Sequence, residues 1–332
     1  MTIRWFLAVL MALAWLGCDG GGGKTGGDDT APPGDAVAPE DAVAPEDAIP
    51  DVGPDGPPAG DTGGDVVGPV GQACVLAHRV GRFEVHSDPL GSWVSGVVTD
   101  AVAVADQILE PKESEGGCVL WMGTHAFCDP PCAMGEECGP DGACVPEPQR
   151  KSVGVVTVAG LKVPVELTPD VSTSYKKWDF VGSPFEAGAA ITLSASGDEI
   201  EGFTLSAAGV APLIVGDLDW EVTPGEPLTL EWELSDGPGE IRFWLNVDQH
   251  GLTPVTVRCV VEDTGSYTVS GALTQALIAY GSSGAASGGI VRRTIDSTEV
   301  AEGCIELEVE SWLQAYPKCV NCPCTTPGFC PE

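Results

Sequence analysis

Thirteen cysteines constrain this chain more than any other feature. Cys18 stands alone near the start. The other twelve fall into three groups of four: Cys74, Cys118, Cys259 and Cys304 spread through the body; Cys128, Cys132, Cys138 and Cys144 close together; Cys319, Cys322, Cys324 and Cys330 at the end. Each group is even, which favours pairing within groups. Disulfides need an oxidising compartment, and the first residues supply a route to one. Arg4 precedes an apolar run at 5–16. A membrane-spanning helix needs roughly twenty apolar residues, so this shorter run reads as a secretory leader.

The leader ends Leu16-Gly17-Cys18-Asp19. It resembles a bacterial lipoprotein signal, in which a thiol after a small residue is acylated and becomes the mature N-terminus. Trp15 and Leu16 depart from that pattern, and Gly17-Cys18 fits it. The resemblance implies lipidation of Cys18. Acyl chains contribute ~0.8 kcal/mol per buried methylene, so several of them anchor a protein firmly. Asp19 resembles the inner-membrane retention signal of enteric bacteria, a rule that does not hold for all bacteria. The expected location is therefore the cell envelope, at the outer membrane or cell surface or at the periplasmic face of the inner membrane.

Residues 19–70 carry almost no aromatic or large apolar side chains. They include the repeat Asp35-Ala-Val-Ala-Pro-Glu40, Asp41-Ala-Val-Ala-Pro-Glu46, Asp47-Ala-Ile-Pro50. Such a segment buries too little surface to offset ordering entropy and is expected to be a disordered tether. Proline and like-charge repulsion extend it, to a limit on the order of 150 Å at ~3.1 Å per residue. Gly23-Lys24-Thr25 is not a phosphate-binding loop, because Cys18 occupies the place of its first glycine and no strand precedes it. The net charge of −34 excludes nucleic acid as a partner.

From Gly71 the pattern becomes that of strands. Residues 81–87 alternate apolar and polar, 93–108 are rich in valine, and 118–122 are apolar. After an interruption, strands are expected at 153–158, 162–167, 190–195 and 202–206. Trp220, Trp232 and Trp244 recur every twelve residues, each in an alternating or apolar run. The stretches 228–234 and 240–247 read as adjacent strands joined by the turn Asp236-Gly-Pro-Gly239, with the tryptophans in the core. Residues 255–261, 267–269 and 305–309 complete the set, and 272–278 form a short helix. Regular strand-and-turn spacing of this kind marks a sandwich or barrel. Cys74 is expected to bridge Cys118, and Cys259 to bridge Cys304. Pairing across these two sets is the alternative.

The interruption, 128–148, packs four cysteines among Gly and Pro turns and needs covalent staples to hold its shape. Three pairings are open to it, and a zinc knot is the alternative. The oxidising compartment and the lack of a histidine favour disulfides. The segment resembles the small EGF-like or knottin-like cysteine modules of secreted proteins. That resemblance implies crossed pairing, Cys128 with Cys138 and Cys132 with Cys144. The tail, 317–332, reads as two more disulfides.

Signals for catalysis are few. Val260-Val-Glu-Asp263-Thr-Gly-Ser266 resembles the aspartic protease motif. That chemistry needs two carboxylates sharing a proton, and the second Asp-Thr-Gly, at Asp61, lies in the tether. Asp263 therefore reads as a turn residue, with protease a distant third choice. The histidines His78, His86, His125 and His250 show no paired helical spacing. Acidic turns at 246–250 and at Asp217-Leu-Asp219 have the residues of a Ca²⁺ loop but are more often solvated. No cofactor, metal or catalytic residue is expected, and the chain reads as a non-enzyme.

The expected architecture is mainly β: a β-sandwich-like domain with an inserted small disulfide-rich module, after a disordered N-terminal tether. The segments are a lipoprotein signal (1–18), the tether (19–70), a β segment (71–127), the EGF-like module (128–148), a β-sandwich domain (149–316) and a Cys-rich tail (317–332). The whole resembles surface or periplasmic lipoproteins of myxobacteria and related bacteria. That resemblance is architectural and says little about activity; the chain is expected to be a membrane-anchored adhesion or binding module with a protein or glycan ligand, or else a structural envelope protein without a specific ligand.

Overall fold

The computed structural model describes residues 71–123, 128–246, 255–280 and 286–322. They belong to the unit Gly63–Glu332. Cys18, the tether, Asp61, His125, the 247–250 part of the acidic turn with His250, Cys324 and Cys330 lie outside the described residues.

The chain is mainly β. A 3₁₀ turn, Leu76–His78, leads into β1 (Arg79–Ser87) and β2 (Ser92–Val98). The short helix α1 (Val104–Gln107) precedes β3 (Leu109–Glu115) and β4 (Cys118–Gly123). A hairpin of β5 (Glu136–Cys138) and β6 (Cys144–Pro146) holds the cysteine module. Then come β7 (Val156–Ala159), β8 (Val165–Leu167), β9 (Tyr175–Lys177), β10 (Ala190–Ala195) and β11 (Phe203–Ala208). The last third holds β12 (Glu221–Val222), β13 (Leu228–Glu231), β14 (Glu240–Asn246), β15 (Val255–Glu262), β16 (Ser266–Val269), α2 (Gly271–Ala279), β17 (Ser287–Val300), β18 (Gly303–Ala315) and β19 (Lys318–Cys319).

Nine of these strands form one sheet in the order β3-β4-β15-β14-β17-β18-β1-β2-β9. All its pairings are antiparallel except β1 with β18. Strands from both sides of the cysteine module thus share one ladder. Side chains alternate across a strand, so the register separates two faces. The inner face is apolar over each half, with polar side chains of β17 between them: Phe83, Val85, Val94, Leu307 and Val309 on one half, and Leu120, Ile241, Phe243, Leu245 and Val257 on the other, are buried.

Each half has its own cover. A second sheet, β11-β10-β7-β8, lays Val156, Val158, Leu193 and Leu205 over the first half, making a sandwich-like layer. The second half is covered by Trp220, Trp232, Leu230 and α2, which contributes Leu273, Leu277 and Ile278. Ser270 caps α2, its hydroxyl accepting from the Leu273 N–H. Each fully buried Leu, Ile or Phe contributes about 1.5–3 kcal/mol.

Several expectations change. The valine-rich stretch 93–108 is a strand only to Val98; Val104 starts a helical turn. Trp220 and Trp232 are core residues, but Trp244 lies on the opposite face, its indole laid over Gly289 so closely that it leaves no room for a Cβ there. The stretches 228–234 and 240–247 are not paired with each other: β13 pairs with β16, and β14 lies between β15 and β17. Alternation reveals a strand's buried face but not its neighbour.

The body disulfides also follow sheet order rather than chain order. Cys74 joins Cys304 and Cys118 joins Cys259, in place of the local pairs Cys74–Cys118 and Cys259–Cys304. Cys118 and Cys259 are direct cross-strand partners on β4 and β15, and Cys304 lies beside Arg79, where the chain from Cys74 enters β1. These bridges span 230 and 141 residues, worth about 5 kcal/mol each in the chain-entropy picture. The structure also joins Cys128 to Cys138, Cys132 to Cys144 and Cys319 to Cys322.

Candidate functional site

The outer face of the nine-stranded sheet is polar, yet much of it is buried. One cross-strand row reads Glu240 (β14), Arg293 (β17), Glu310 (β18), His86 (β1), Trp93 (β2), each residue the direct partner of the next. Acid and base alternate along it. Arg293 lies 2.9 Å from Glu240, and His86 Nδ1 lies 2.5 Å from Glu310. The neighbouring row brings Glu84 beside Glu308, and the next Arg82 beside Glu306.

Glu308 is the centre of the network and is 0% exposed. Arg82 pairs with its Oε2; its Oε1 lies 2.9 Å from Arg242 and 3.3 Å from Arg293. Neither of the latter contacts is a hydrogen bond, so Oε1 is held by charge. Burial opposes ionisation of Glu308, but Arg242, Arg82 and Arg293 outweigh it and hold the carboxyl at about 2. Glu310 goes the other way: burial, helped by the charge of Glu308, raises it above the ordinary carboxylate range against the pull of His86. At one end of the face Arg79 bridges Asp106 of α1 and Glu306, both at 2.8 Å.

His86 closes the opposite side of the cluster. Its Nδ1 faces Glu310 and its Nε2 faces Asp88 at 3.1 Å. Two carboxylate neighbours call for two N–H donors, which only the imidazolium has. Burial disfavours that charge, and the hydrogen bonds and charges of Glu310 and Asp88 overcome it, raising the pKa of His86. Trp93 stacks on the His86 ring, centroids 3.6 Å apart and planes at 13°; Trp312 tilts against the same ring at 5.8 Å. Trp178, just beyond β9, stands 5.2 Å from Trp93 and is 54% exposed. The result is an aromatic rim beside a set of rigidly held charges.

The residues singled out from sequence fall elsewhere. Asp263 lies at the join between the two core halves. Its carboxylate accepts from Arg292 Nε and from Trp232 Nε1, both at 2.7 Å. Arg292, 1% exposed, also donates to the carbonyls of Pro212 and Glu233. Asp263 is thus committed to a structural clamp. Asp217 accepts from the Asp219 N–H, and Asp219 pairs with Lys318. The sulfurs of Cys128, Cys132 and Cys144 lie within 4.8 Å of one another, but as members of two disulfides they are not thiolate ligands. Sequence reasoning missed the outer-face network altogether. Its only signal was the alternation Glu306-Leu-Glu308-Val-Glu310, which reads as a solvated edge of a strand.

No protein-family model matches the chain, and no curated protein matches it. Among solved structures it is similar to a Ca²⁺-stabilised adhesin that helps an Antarctic bacterium reach out and bind ice, at 10% identity and a TM-score of 0.16, over 73% of this chain and 50% of that one. It is also similar to the FN1–FN3 domains of chicken CNTN1, at 10% identity and a TM-score of 0.17, over 63% of this chain and 65% of that one. The chain spans only half the length of the adhesin. Likeness at these scores carries no argument about ligand or activity.

Five disulfides among the described residues are the chemistry of an oxidising, extracytoplasmic compartment. No helix of the described residues is long and apolar enough to cross a membrane.

Proposed function

We propose that the chain is a lipid-anchored extracytoplasmic lipoprotein that presents the outer face of its nine-stranded sheet to a glycan. The observation that carries this reading is the convergence of Trp93, Trp178 and Trp312 on one rim beside His86. Flat indole faces suit the C–H faces of sugar rings, and an aromatic body with a polar tip is the usual furniture of a binding surface. Arg82, Glu84 and Arg242, in the same charge network as His86, are partly exposed and already held in place by their neighbours, so they meet a ligand's hydroxyls with little reorganisation. Cys18 supplies the anchor and 19–70 the spacer. The reading assigns no catalytic role to any residue.

A glycan array probed with the full-length protein tests it. Binding is expected, and Trp178→Ala, at an exposed position, should weaken it by about tenfold without moving the melting midpoint. A blank array, or binding indifferent to Trp178→Ala, overturns the glycan reading and leaves a structural envelope role. Intact-mass analysis of membrane-extracted protein tests the anchor; a chain that keeps an unmodified Cys18 refutes it.

A further inference from the structure

β12 and β13 are the arms of a hairpin that is closed at both ends and open between them. At its mouth Glu233 donates its N–H to the Ile214 carbonyl at 2.9 Å. At its tip the Glu226 N–H reaches the Thr223 carbonyl at 3.1 Å, closing a turn through Pro224 and Gly225, where Gly225 has φ 80°. Between those points each arm pairs outward, β12 with β19 and β13 with β16. Among the described residues no backbone hydrogen bond joins β12 to β13, and most Cα pairs across them lie more than 8 Å apart. Paired strands lie ~4.8 Å apart, so a gap that admits one more strand is roughly 9.6 Å.

Among the described residues the facing edges of β12 and β13 have no backbone partner, although the Asp219 N–H is taken by the Asp217 carboxylate. Trp232 donates to Gly265 on the β16 side, whereas Glu233 donates away from it. Alternation along an antiparallel strand then aims the N–H and C=O of Leu228 and Leu230 at β16, and those of Thr229 and Glu231 into the gap. On the other arm the carbonyls of Leu218, Trp220 and Val222 accept from Tyr316, Lys318 and Val320. This turns the backbone groups of Glu221 toward the gap. A cleft of about 990 Å³ fills the space, lined by every residue of 228–233 together with Asp219, Trp220 and Glu221. Successive side chains of a strand point to opposite faces, so all of 228–233 can line one cleft only along the backbone edge. Among the described residues Asp217, Asp219, Glu221, Glu231 and Glu233 line it, with Lys318 as the one cation.

We propose that this gap accepts an extended, Lys- or Arg-rich peptide segment of a partner protein as an added strand between β12 and β13. The two edges supply the ladder, as in other cases of strand addition, and the five carboxylates select basic side chains. The chain's own tether is a poor occupant, because its repeat is acidic and the whole chain carries 49 acidic residues against 15 basic ones.

The test is fluorescence anisotropy of the full-length protein with a labelled peptide alternating Lys and Thr. Binding is expected, with a loss of about tenfold or more when alternate backbone amides are N-methylated or when Glu replaces Lys. Thr229→Pro removes an N–H that faces the gap, at an edge position where proline is tolerated, and should weaken binding similarly at an unchanged melting midpoint. Should that variant fail to fold, the double change Glu231→Lys and Glu233→Lys leaves the backbone alone and should switch preference to the Glu-Thr peptide. Equal affinity for the N-methylated peptide, or no peptide binding while Ca²⁺ alone raises the melting midpoint, overturns the proposal.

Discussion

Arg292→Met is the sharpest probe of how the two halves of the core are joined. The substitution keeps an unbranched apolar stem and deletes the guanidinium. Asp263, 6% exposed at its side chain, is then left buried with Trp232 as its one remaining side-chain donor among the described residues. The carbonyls of Pro212 and Glu233, at 2.8 and 2.5 Å from the guanidinium, lose their donor as well. Removing one partner of a buried pair costs about 3–5 kcal/mol, and orphaned carbonyls place the total toward the top of that range. A domain of this size loses about 2–4 °C per kcal/mol, so the melting midpoint should fall by about 10–20 °C under non-reducing conditions. Asp263→Asn combined with Arg292→Met should cost less than the sum of the two single changes by about 2–3 kcal/mol, since the second change no longer strands a charge. A single-mutant cost below about 1 kcal/mol, or simple additivity, would refute the clamp.

Acid unfolding should report Glu308. Its folded pKa, about 2, lies below the ordinary 4.5, so its contribution is complete above pH ~4.5 and is lost as pH falls toward 2. Glu310 is shifted the opposite way, in part by the charge of Glu308 itself, so Glu308→Gln should shallow the acid limb of the stability curve through both groups; curves parallel to wild type would contradict it. His86, raised above 6.5, stabilises fully below that pH and progressively less as pH climbs through its folded value; His86→Gln should flatten that limb of the melting curve. Non-reducing peptide mapping should recover Cys74 linked to Cys304 and Cys118 linked to Cys259, and replacing Cys118 and Cys259 by Ser should cost up to about 5 kcal/mol. A peptide linking Cys74 to Cys118 would show that the sheet order is wrong.

Much of the strand content was legible because alternation survives in a half-buried strand: residues 81–87, 118–122 and 190–195 read as strands and are. The longest strand, β17, was invisible. Its Arg292, Thr294 and Asp296 lie on the inner face, where they hydrogen-bond to Glu233, Ala208 and Ser206 rather than to water, so the apolar period is broken where the sheet passes from one core to the other. β3, with Leu109-Glu-Pro-Lys-Glu-Ser-Glu115, was invisible as a charged edge strand. Sheet order was not legible at all, and the body disulfides inherit that error. The outer face shows the same gap between local and global information. Alternating glutamates on β18 announce a polar face, but only the neighbours decide whether that face meets water, and here β1, β14 and β17 bring arginines.

Those arginines are few, and their placement is informative. The chain has eight, and six of them, Arg79, Arg82, Arg242, Arg258, Arg292 and Arg293, lie on strands of the nine-stranded sheet. Buried ion pairs rarely add stability over apolar packing, so bulk stability does not explain why a chain of net charge −34 concentrates its cations there. Register does. β18 is shared by an antiparallel ladder with β17 and a parallel one with β1, and parallel pairing is the weaker kind. A slip of one residue in β18 would turn Glu306, Glu308 and Glu310 onto the inner face, against Phe83 and Val85, and would send Leu307 and Val309 among the arginines. Burying three carboxylates without partners is far costlier than any packing gained. The charge network therefore discriminates the native register from its neighbours in both ladders at once, and in doing so it fixes the spacing of the Trp93–His86–Trp312 rim.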